Sequence, residues 1–131
     1  LRSSEAAGAT GVLTLKGGAD PFRDKAVRGS MGSIFRLPVL HGMDAQGVLD
    51  FAQRHGLQVV TAEGAGDVEY TAVDLKRPTL LVLGAEATGV SPALAQAATV
   101  RARIPLTEPV ESLNVAVAAG VLLFEARRQR K

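Results

Sequence analysis

The stretch TLLVLGAEATGV, residues 79–90, decides the fold of this chain. Its first five residues form an apolar run typical of a buried strand, and Gly84, Glu86 and Gly89 follow that run. Glycine allows the backbone to approach a ligand closely, so the segment predicts a strand that leads into a ligand-binding loop. A purely structural loop explains the same pattern equally well.

Predicted strands and helices alternate on both sides of this stretch. Strands are predicted at residues 11–15, 33–40, 57–62 and 100–106, and helices at residues 24–28, 44–56, 92–98 and 112–128. Residues 1–11 read as a helix that ends at Gly8 or Gly11. The alternation predicts an α/β fold, with helices on both faces of a parallel sheet in which residues 79–84 form the strongest buried strand.

The composition excludes several kinds of site. There is no cysteine, so the chain has neither a disulfide, a thiolate metal site nor a cysteine nucleophile. His41 and His55 stand alone, without a carboxylate or second histidine at ligand spacing, so we expect no metal. No segment reaches the roughly 20 apolar residues that a membrane span requires. We therefore expect one soluble, cytoplasmic domain with no membrane partner.

Basic residues are concentrated in two places. Arg101 and Arg103 belong to one predicted strand, and Arg127, Arg128, Arg130 and Lys131 lie at the end of the chain. Such clusters permit binding to a polyanion. The alternative is that the terminal cluster complements the dipole of the last helix.

The second informative segment is IPLTEPVESLNVAVAAG, residues 104–120. Two prolines stiffen a loop that ends in the polar residues Ser112 and Asn114 at the start of an apolar helix. One polar side chain at that point is usually a helix cap. A second one could bind a polar group of a ligand, since backbone N–H groups at a helix start are unpaired.

These two segments, in this order and separated by a short helix, resemble the second and third signature motifs of SpoU-type (TrmH-like) RNA 2′-O-ribose methyltransferases of the SPOUT superfamily. LRSSEAAGATGV (residues 1–12) is similar to the end of the first motif, and RGSMGSIFRLPV (residues 28–39) resembles the segment after it. The resemblance implies S-adenosyl-L-methionine as the cofactor. It also implies a parallel sheet flanked by helices whose C-terminal segment forms a deep trefoil knot, a rare exception to unknotted connectivity.

The resemblance assigns roles to individual residues. It implies that Arg2 lies beside the ribose 2′-hydroxyl, with Glu86 from the second motif and Ser112 and Asn114 from the third as the other catalytic candidates. We expect Arg2 to act electrostatically on the developing alkoxide, since arginine is a demanding base. On sequence alone, Arg2 is an ordinary surface residue. The implied cofactor-binding residues are Ala62, Gly84, Ile104, Leu106, Ser112, Leu113 and Asn114.

The resemblance also concerns partners and chain organisation. It implies an RNA substrate, ribosomal in preference to transfer RNA, and a homodimer that packs through the last helix. The apolar residues 115–124 suit that interface, although burial within one subunit explains them as well. We expect residues 1–131 to be the catalytic domain without its first strand and without an N-terminal RNA-binding domain. Alternatives are a non-catalytic knotted RNA-binding module and a flavodoxin-type nucleotide-binding domain.

Overall fold

The computed structural model describes the whole chain, Leu1–Lys131. Strands and helices alternate along most of its length. In chain order they are α1 (Arg2–Ala7), β1 (Val12–Leu15), α2 (Asp24–Gly29), α3 (Ser33–Arg36), β2 (Val39–Met43), α4 (Ala45–Arg54), β3 (Gln58–Ala62), β4 (Val68–Glu69), β5 (Thr79–Leu83), α5 (Pro92–Ala97), β6 (Val100–Arg103) and α6 (Val115–Gln129). A 3₁₀ turn, Tyr70–Ala72, follows β4.

Every strand pair is parallel. Four strands form one sheet in the order β4, β6, β3, β5, and β1 pairs with β2 in a second sheet. The predicted α/β class, with a parallel sheet flanked by helices, is therefore confirmed. The single sheet that the alternation suggested is divided into two parts.

The core lies on both faces of the larger sheet, because successive residues of a strand point to opposite sides. Val59 of β3 packs in one buried cluster with Val48 and Ala52 of α4 and with Leu94 of α5. Its neighbour Val60 packs on the other face, in a cluster lined by Val73, Leu75, Ala102 and, at its margin, Ala126 of α6.

Two predictions about strands are wrong. Residues 33–36 are helical rather than extended, because Gly32 (φ 86°) starts a helical turn and the strand begins only at Val39, after Pro38. Pro38 keeps Leu37 in the extended region (ψ 124°), which ends that turn. The most buried strand is β3 and not β5, because β3 has a partner on each side whereas β5 pairs only with β3.

A groove of about 680 Å³ is lined by residues of both β1 and β5. Each of these strands has one hydrogen-bonded neighbour only, so each has a free edge. Apolar side chains of both strands and of α6 line the groove, among them Val12, Leu13, Leu80, Leu81, Leu122 and Leu123. The two sheets are thus separated by an apolar channel with strand edges along it.

Two arginines at the end of α6 anchor the helix to the rest of the chain. Arg127 donates a hydrogen bond to the carbonyl of Ala6 in α1 (3.0 Å), and Arg130 donates to the carbonyl of Leu75 (2.8 Å). Arg128 instead pairs within α6, with the buried Glu125 (2.8 Å). The terminal cluster is therefore largely engaged in holding α6 in place. None of the helices combines the length and apolar character needed to cross a membrane.

Candidate active site

A cleft of about 390 Å³ lies where β3, β5 and β6 end. Ligands bind at this edge of an open parallel sheet, because loops and helix starts there present unpaired backbone groups. The cleft is lined by residues 62–65 at the end of β3, residues 83–86 and 88–90 at the end of β5, Ala102, Ile104, Leu106, residues 111–113, Val115 and Ala118. The loop after β5 and the segment that follows β6 thus come together, as the sequence predicted.

The loop after β5 is held in a tight turn. Ala85 and Gly89 form an isolated bridge, with the N–H of Gly89 donating to the carbonyl of Ala85 (2.7 Å). The backbone of Gly89 and Val90 lies so close to Gly84 that a Cβ at Gly84 would overlap it. Gly84 is therefore required by the geometry of the cleft wall, and any larger residue would force the loop to move.

Glu86 joins this loop to the start of α6. Its Oε1 atom accepts hydrogen bonds from Nδ2 of Asn114 (2.9 Å) and from the N–H of Val115 (3.3 Å). Oδ1 of Asn114 accepts in turn from the N–H groups of Ala116 (2.9 Å) and Val117 (3.4 Å). Asn114 is therefore the N-cap of α6, as the sequence predicted, and also forms a bridge to Glu86.

The structure brings most of the predicted site residues to one place. The cleft is lined by Ala62, Gly84, Glu86, Ile104, Leu106, Ser112 and Leu113. Asn114 is attached to it through Glu86. The lining combines half-buried aliphatic side chains, glycine backbone and carboxylates, a combination suited to a small ligand with an apolar part and a cationic part.

Arg2 is the exception, because it does not line the cleft of its own chain. It is exposed on α1, and α1 is fixed to α6 through Ala6 and Arg127. Along the helix axis, Arg127 is about 18 Å from Val115, which lines the cleft. Within one chain, the structure therefore does not bring Arg2 together with Glu86 and Asn114.

Glu63 is a charged cleft residue to which the sequence analysis gave no role. Its carboxylate accepts hydrogen bonds from Nη2 of Arg101 (3.0 Å) and from Oγ1 of Thr61 (2.7 Å). The hydrogen bond from Arg101 is the main reason why the pKa of Glu63 lies below its usual value. Arg101 also lies 3.7 Å from Asp67, so this arginine is neutralised by the protein itself.

Helix α6 and the loop before it leave apolar side chains exposed. Val115, Val117 and Phe124 are 37%, 53% and 48% exposed, and Val110 in the preceding loop is 55% exposed. Burial within one subunit therefore accounts for Leu122 but not for Val115, Val117 and Phe124. Potential metal ligands are not clustered, because no three His, Cys, Asp or Glu side chains anywhere in the chain are grouped so that they could hold a metal ion.

Comparison with known proteins identifies a family. The model of the SpoU rRNA methylase family matches residues 1–124. A 23S rRNA (guanosine-2′-O-)-methyltransferase RlmB from Xylella fastidiosa is 40% identical over 130 residues, which are 99% of this chain and 52% of that protein. The chain spans about half the length of the curated relatives it matches.

Solved structures show the same similarity. The SpoU methyltransferase AviRb from Streptomyces viridochromogenes, crystallised in complex with the cofactor AdoMet, superposes with a TM-score of 0.92 at 36% identity, over 98% of this chain and 53% of that one. A TrmH/SpoU tRNA modifying enzyme from A. aeolicus superposes with a TM-score of 0.82 at 34% identity, over 98% of this chain and 66% of that one.

Proposed function

Because the chain belongs to the SpoU rRNA methylase family, we propose that its cleft binds S-adenosyl-L-methionine and that the protein methylates a ribose 2′-hydroxyl in RNA. The observation that carries the proposal is the hydrogen bond between Glu86 and Asn114. It joins the loop after β5 to the start of α6, so two distant segments form the walls of one cleft. The AdoMet complex of AviRb supports the choice of cofactor.

The residues of the cleft fit this cofactor. A volume of about 390 Å³ lies within the range of roughly 300–1,000 Å³ common to small-ligand sites. Half-buried Leu106 and Leu113 offer an apolar surface for a purine ring, and Glu63 and Glu86 offer negative charge for a sulfonium and an ammonium group. When bound, S-adenosyl-L-methionine supplies an activated methyl group.

The protein's own residues are proposed to position the reactants and to stabilise charge. Glu86, Asn114 and Ser112 keep the cleft walls in place and orient the target nucleotide. Correct orientation of the reactants is the main requirement of an in-line transfer. Arg2 stabilises the negative charge that develops on the ribose oxygen as this oxygen takes the methyl group and its proton passes to water. None of these side chains is required to form a covalent intermediate.

We propose that a homodimer completes the site. The exposed apolar side chains of Val110, Val115, Val117 and Phe124 offer an interface that begins at the cleft and extends along α6. Arg2 lies outside the cleft of its own chain, so a second copy packed on α6 is proposed to place its Arg2 at this cleft. A non-catalytic RNA-binding module is the alternative if Arg2 never reaches a cleft.

Two finer structural features belong to the same proposal. The segment from Ile104 to Asn114, which passes beside the loops after β3 and β5, is proposed to be threaded as a trefoil knot. One further parallel strand, from a part of the natural protein outside residues 1–131, is proposed to fill the groove between β1 and β5 and to join the two sheets. The free edges of both strands support this second feature.

The proposed substrate is ribosomal RNA, since the similar RlmB protein from Xylella fastidiosa is named as a 23S rRNA methyltransferase. Transfer RNA is the second candidate, because the similar enzyme from A. aeolicus is named as a tRNA modifying enzyme. Loss of one ribose methylation in ribosomal RNA from cells that lack the protein would assign the former. Loss confined to transfer RNA would assign the latter.

Calorimetric titration tests the cofactor half of the proposal. We expect one S-adenosyl-L-methionine molecule to bind per chain, and Leu113→Arg to abolish binding because it fills an apolar part of the cleft with a charge. Phe22→Arg, at an exposed residue outside the cleft and the groove, is the matched control and should bind normally. Absence of binding to the wild-type protein would contradict the proposal.

A further inference from the structure

Lys25, Arg28, Met31 and Phe35 are exposed residues of α2, α3 and the turn between them, outside the cleft, and we call this part of the protein the α2–α3 surface. Phe35 is 82% exposed and Met31 is 65% exposed, the two highest values among the large hydrophobic side chains. Lys25 and Arg28 are exposed on α2, three residues apart and so on the same side of the helix. The surface therefore combines an aromatic ring, a thioether and two cations.

The backbone conformation explains why the side chains of Met31 and Phe35 are exposed. Met31 (φ 50°) and Gly32 (φ 86°) both adopt the left-handed conformation, which turns the chain sharply between α2 and α3. The turn places the side chain of Met31 in solvent. Because the left-handed conformation is unfavourable for methionine, the turn costs backbone strain at this residue. On α3 the neighbours Ser33 and Ile34 are buried, which leaves Phe35 pointing outward on a helix that is itself anchored.

The segment of residues 16–36, which contains the α2–α3 surface, is more positively charged than the rest of the chain. Residues 16–36 contain five basic and two acidic residues, a net charge of +3, whereas the whole chain carries only +2. Neither Lys25 nor Arg28 forms an ion pair. By contrast, Arg101, Arg103 and Arg128 are each paired with a carboxylate. Arg127 and Arg130 of the terminal cluster also lack an ion pair, but each donates to backbone carbonyls, whereas the side chains of Lys25 and Arg28 form no hydrogen bond within the chain.

The α2–α3 surface is held next to the helix that carries Arg2. Glu5 of α1 accepts hydrogen bonds from Nε (2.6 Å) and Nη2 (2.9 Å) of Arg36 and also from the hydroxyl of Ser33. Arg2 lies three residues before Glu5 on α1, about one helical turn away. Any RNA strand whose ribose reaches Arg2 therefore passes close to α3.

We propose that the α2–α3 surface binds an unpaired segment of the RNA substrate beside the methylated nucleotide. Phe35 stacks on a splayed base, and Lys25 and Arg28 contact the phosphates on either side. Every base has a π-face, so stacking on an aromatic ring combined with cations is the usual means of holding single-stranded nucleic acid. A paired strand would not suffice, because its bases are already stacked on one another. This inference rests on the proposed function and adds the structural class of the RNA.

Fluorescence anisotropy with a labelled single-stranded RNA of about 12 nucleotides, a length within the usual site sizes, tests the proposal. Phe35→Leu keeps an apolar side chain but removes the ring, and we expect it to weaken binding roughly 5- to 150-fold, the range for loss of one stacked base. Phe35→Trp keeps a ring and should bind as the wild type does. The same strand in a blunt duplex should bind more weakly and should respond little to either change.

The charge contribution is tested separately. Arg28→Gln should lower affinity and reduce the slope of log affinity against log salt by about 0.7, the value for one contact with a single-stranded phosphate. Arg54→Gln, at an exposed arginine of α4 that forms no ion pair, is the matched control and should change neither quantity.

Three results would overturn the proposal. The first is unchanged single-strand affinity in both Phe35→Leu and Arg28→Gln. The second is an equal loss of affinity for the duplex. The third is a change of oligomeric state in Phe35→Leu by sedimentation, which would make the surface a contact between copies. Calorimetry with S-adenosyl-L-methionine keeps the two proposals apart, because the surface variants should retain cofactor affinity even if the RNA contacts are absent.

Discussion

Asn114 caps α6 and at the same time donates a hydrogen bond of 2.9 Å to Glu86, 28 residues earlier in the chain. The cap fixes the first turn of the helix, and the bond fixes the loop after β5 against it. One side chain thus couples the stability of α6 to the shape of the cleft.

Comparison of two substitutions of Asn114 separates the helix cap from the bond to Glu86. Asn114→Ala removes both, and we expect a loss of about 0.5–2 kcal/mol in the free energy of unfolding together with weaker cofactor binding. Asn114→Asp retains a capping oxygen but places a second carboxylate against Glu86, so cofactor binding should fall with a smaller loss of stability. Denaturant unfolding and calorimetry measure the two quantities.

Asp44 provides a matched control for the cap. Its side chain accepts from the N–H of Gly47 (2.7 Å) at the start of α4, outside the cleft. Asp44→Ala should therefore destabilise the protein by a similar amount and leave cofactor affinity unchanged. Equal losses of affinity in Asp44→Ala and Asn114→Ala would show that the effect is one of general stability.

Gly84→Ala tests the shape of the cleft wall. The added Cβ would overlap the backbone of Gly89 and Val90, and overpacking of this kind costs about 1–3 kcal/mol. We expect lower stability and no measurable cofactor binding. Gly29→Ala is the control, because a Cβ there has no neighbour within 4 Å; normal binding by Gly84→Ala would refute the described geometry of the loop.

Mixing inactive variants tests whether Arg2 serves the cleft of a second copy. If it does, a heterodimer of Arg2→Ala and Glu86→Ala has one intact site, and an equal mixture should regain about a quarter of wild-type activity in a two-fold dimer. Glu86→Ala mixed with Gly84→Ala should regain nothing, since both changes affect the cleft itself. If the first mixture remains as inactive as its components, Arg2 does not act across a dimer.

Acid should destabilise the protein through two carboxylates. Hydrogen bonds from Arg128 and Gln129 lower the pKa of Glu125 to about 2, and those from Arg36 and Ser33 lower the pKa of Glu5 to about 2. Because the folded-state pKa lies below the unfolded value, this stability is present above the unfolded pKa and disappears as pH falls toward 2.

Thermal unfolding measured between about pH 6 and pH 2 should follow that window. The double variant Glu5→Gln with Glu125→Gln should lose much of the pH dependence in this range. Glu108→Gln, at an exposed carboxylate without an ion pair, is the control. A double variant with the full wild-type pH profile would disprove the contribution of these two groups.

Local signals in the sequence explain why much of the fold and the site could be predicted. Gly8 ends α1 in the left-handed conformation, and Asp44 caps α4, as the sequence predicted. The glycine-rich loop after β5 and the proline-stiffened segment after β6 both follow strands. Parallel strands end at the same edge of a sheet, so these segments were expected to meet there.

The remaining features depend on contacts between distant residues. Glu63 was not recognised as a paired group because its partner Arg101 is 38 residues away, brought beside it by the register of Thr61 with Arg101 in adjacent strands. The strand predicted across residues 33–36 failed because burial of Ser33 and Ile34 and the turn at Gly32 favour helix there. The position of β5 at a sheet edge depends on strand order, which apolar runs do not encode.

Transfer of a radiolabelled methyl group from S-adenosyl-L-methionine to ribosomal RNA, followed by alkaline hydrolysis, tests the central claim most directly. Alkali cleaves RNA through the free 2′-hydroxyl, so a methylated ribose survives in a dinucleotide. We expect the label in alkali-stable dinucleotides, and we expect none there with Gly84→Ala. Label found only in mononucleotides, or no transfer by the wild-type protein to any RNA, would contradict the account.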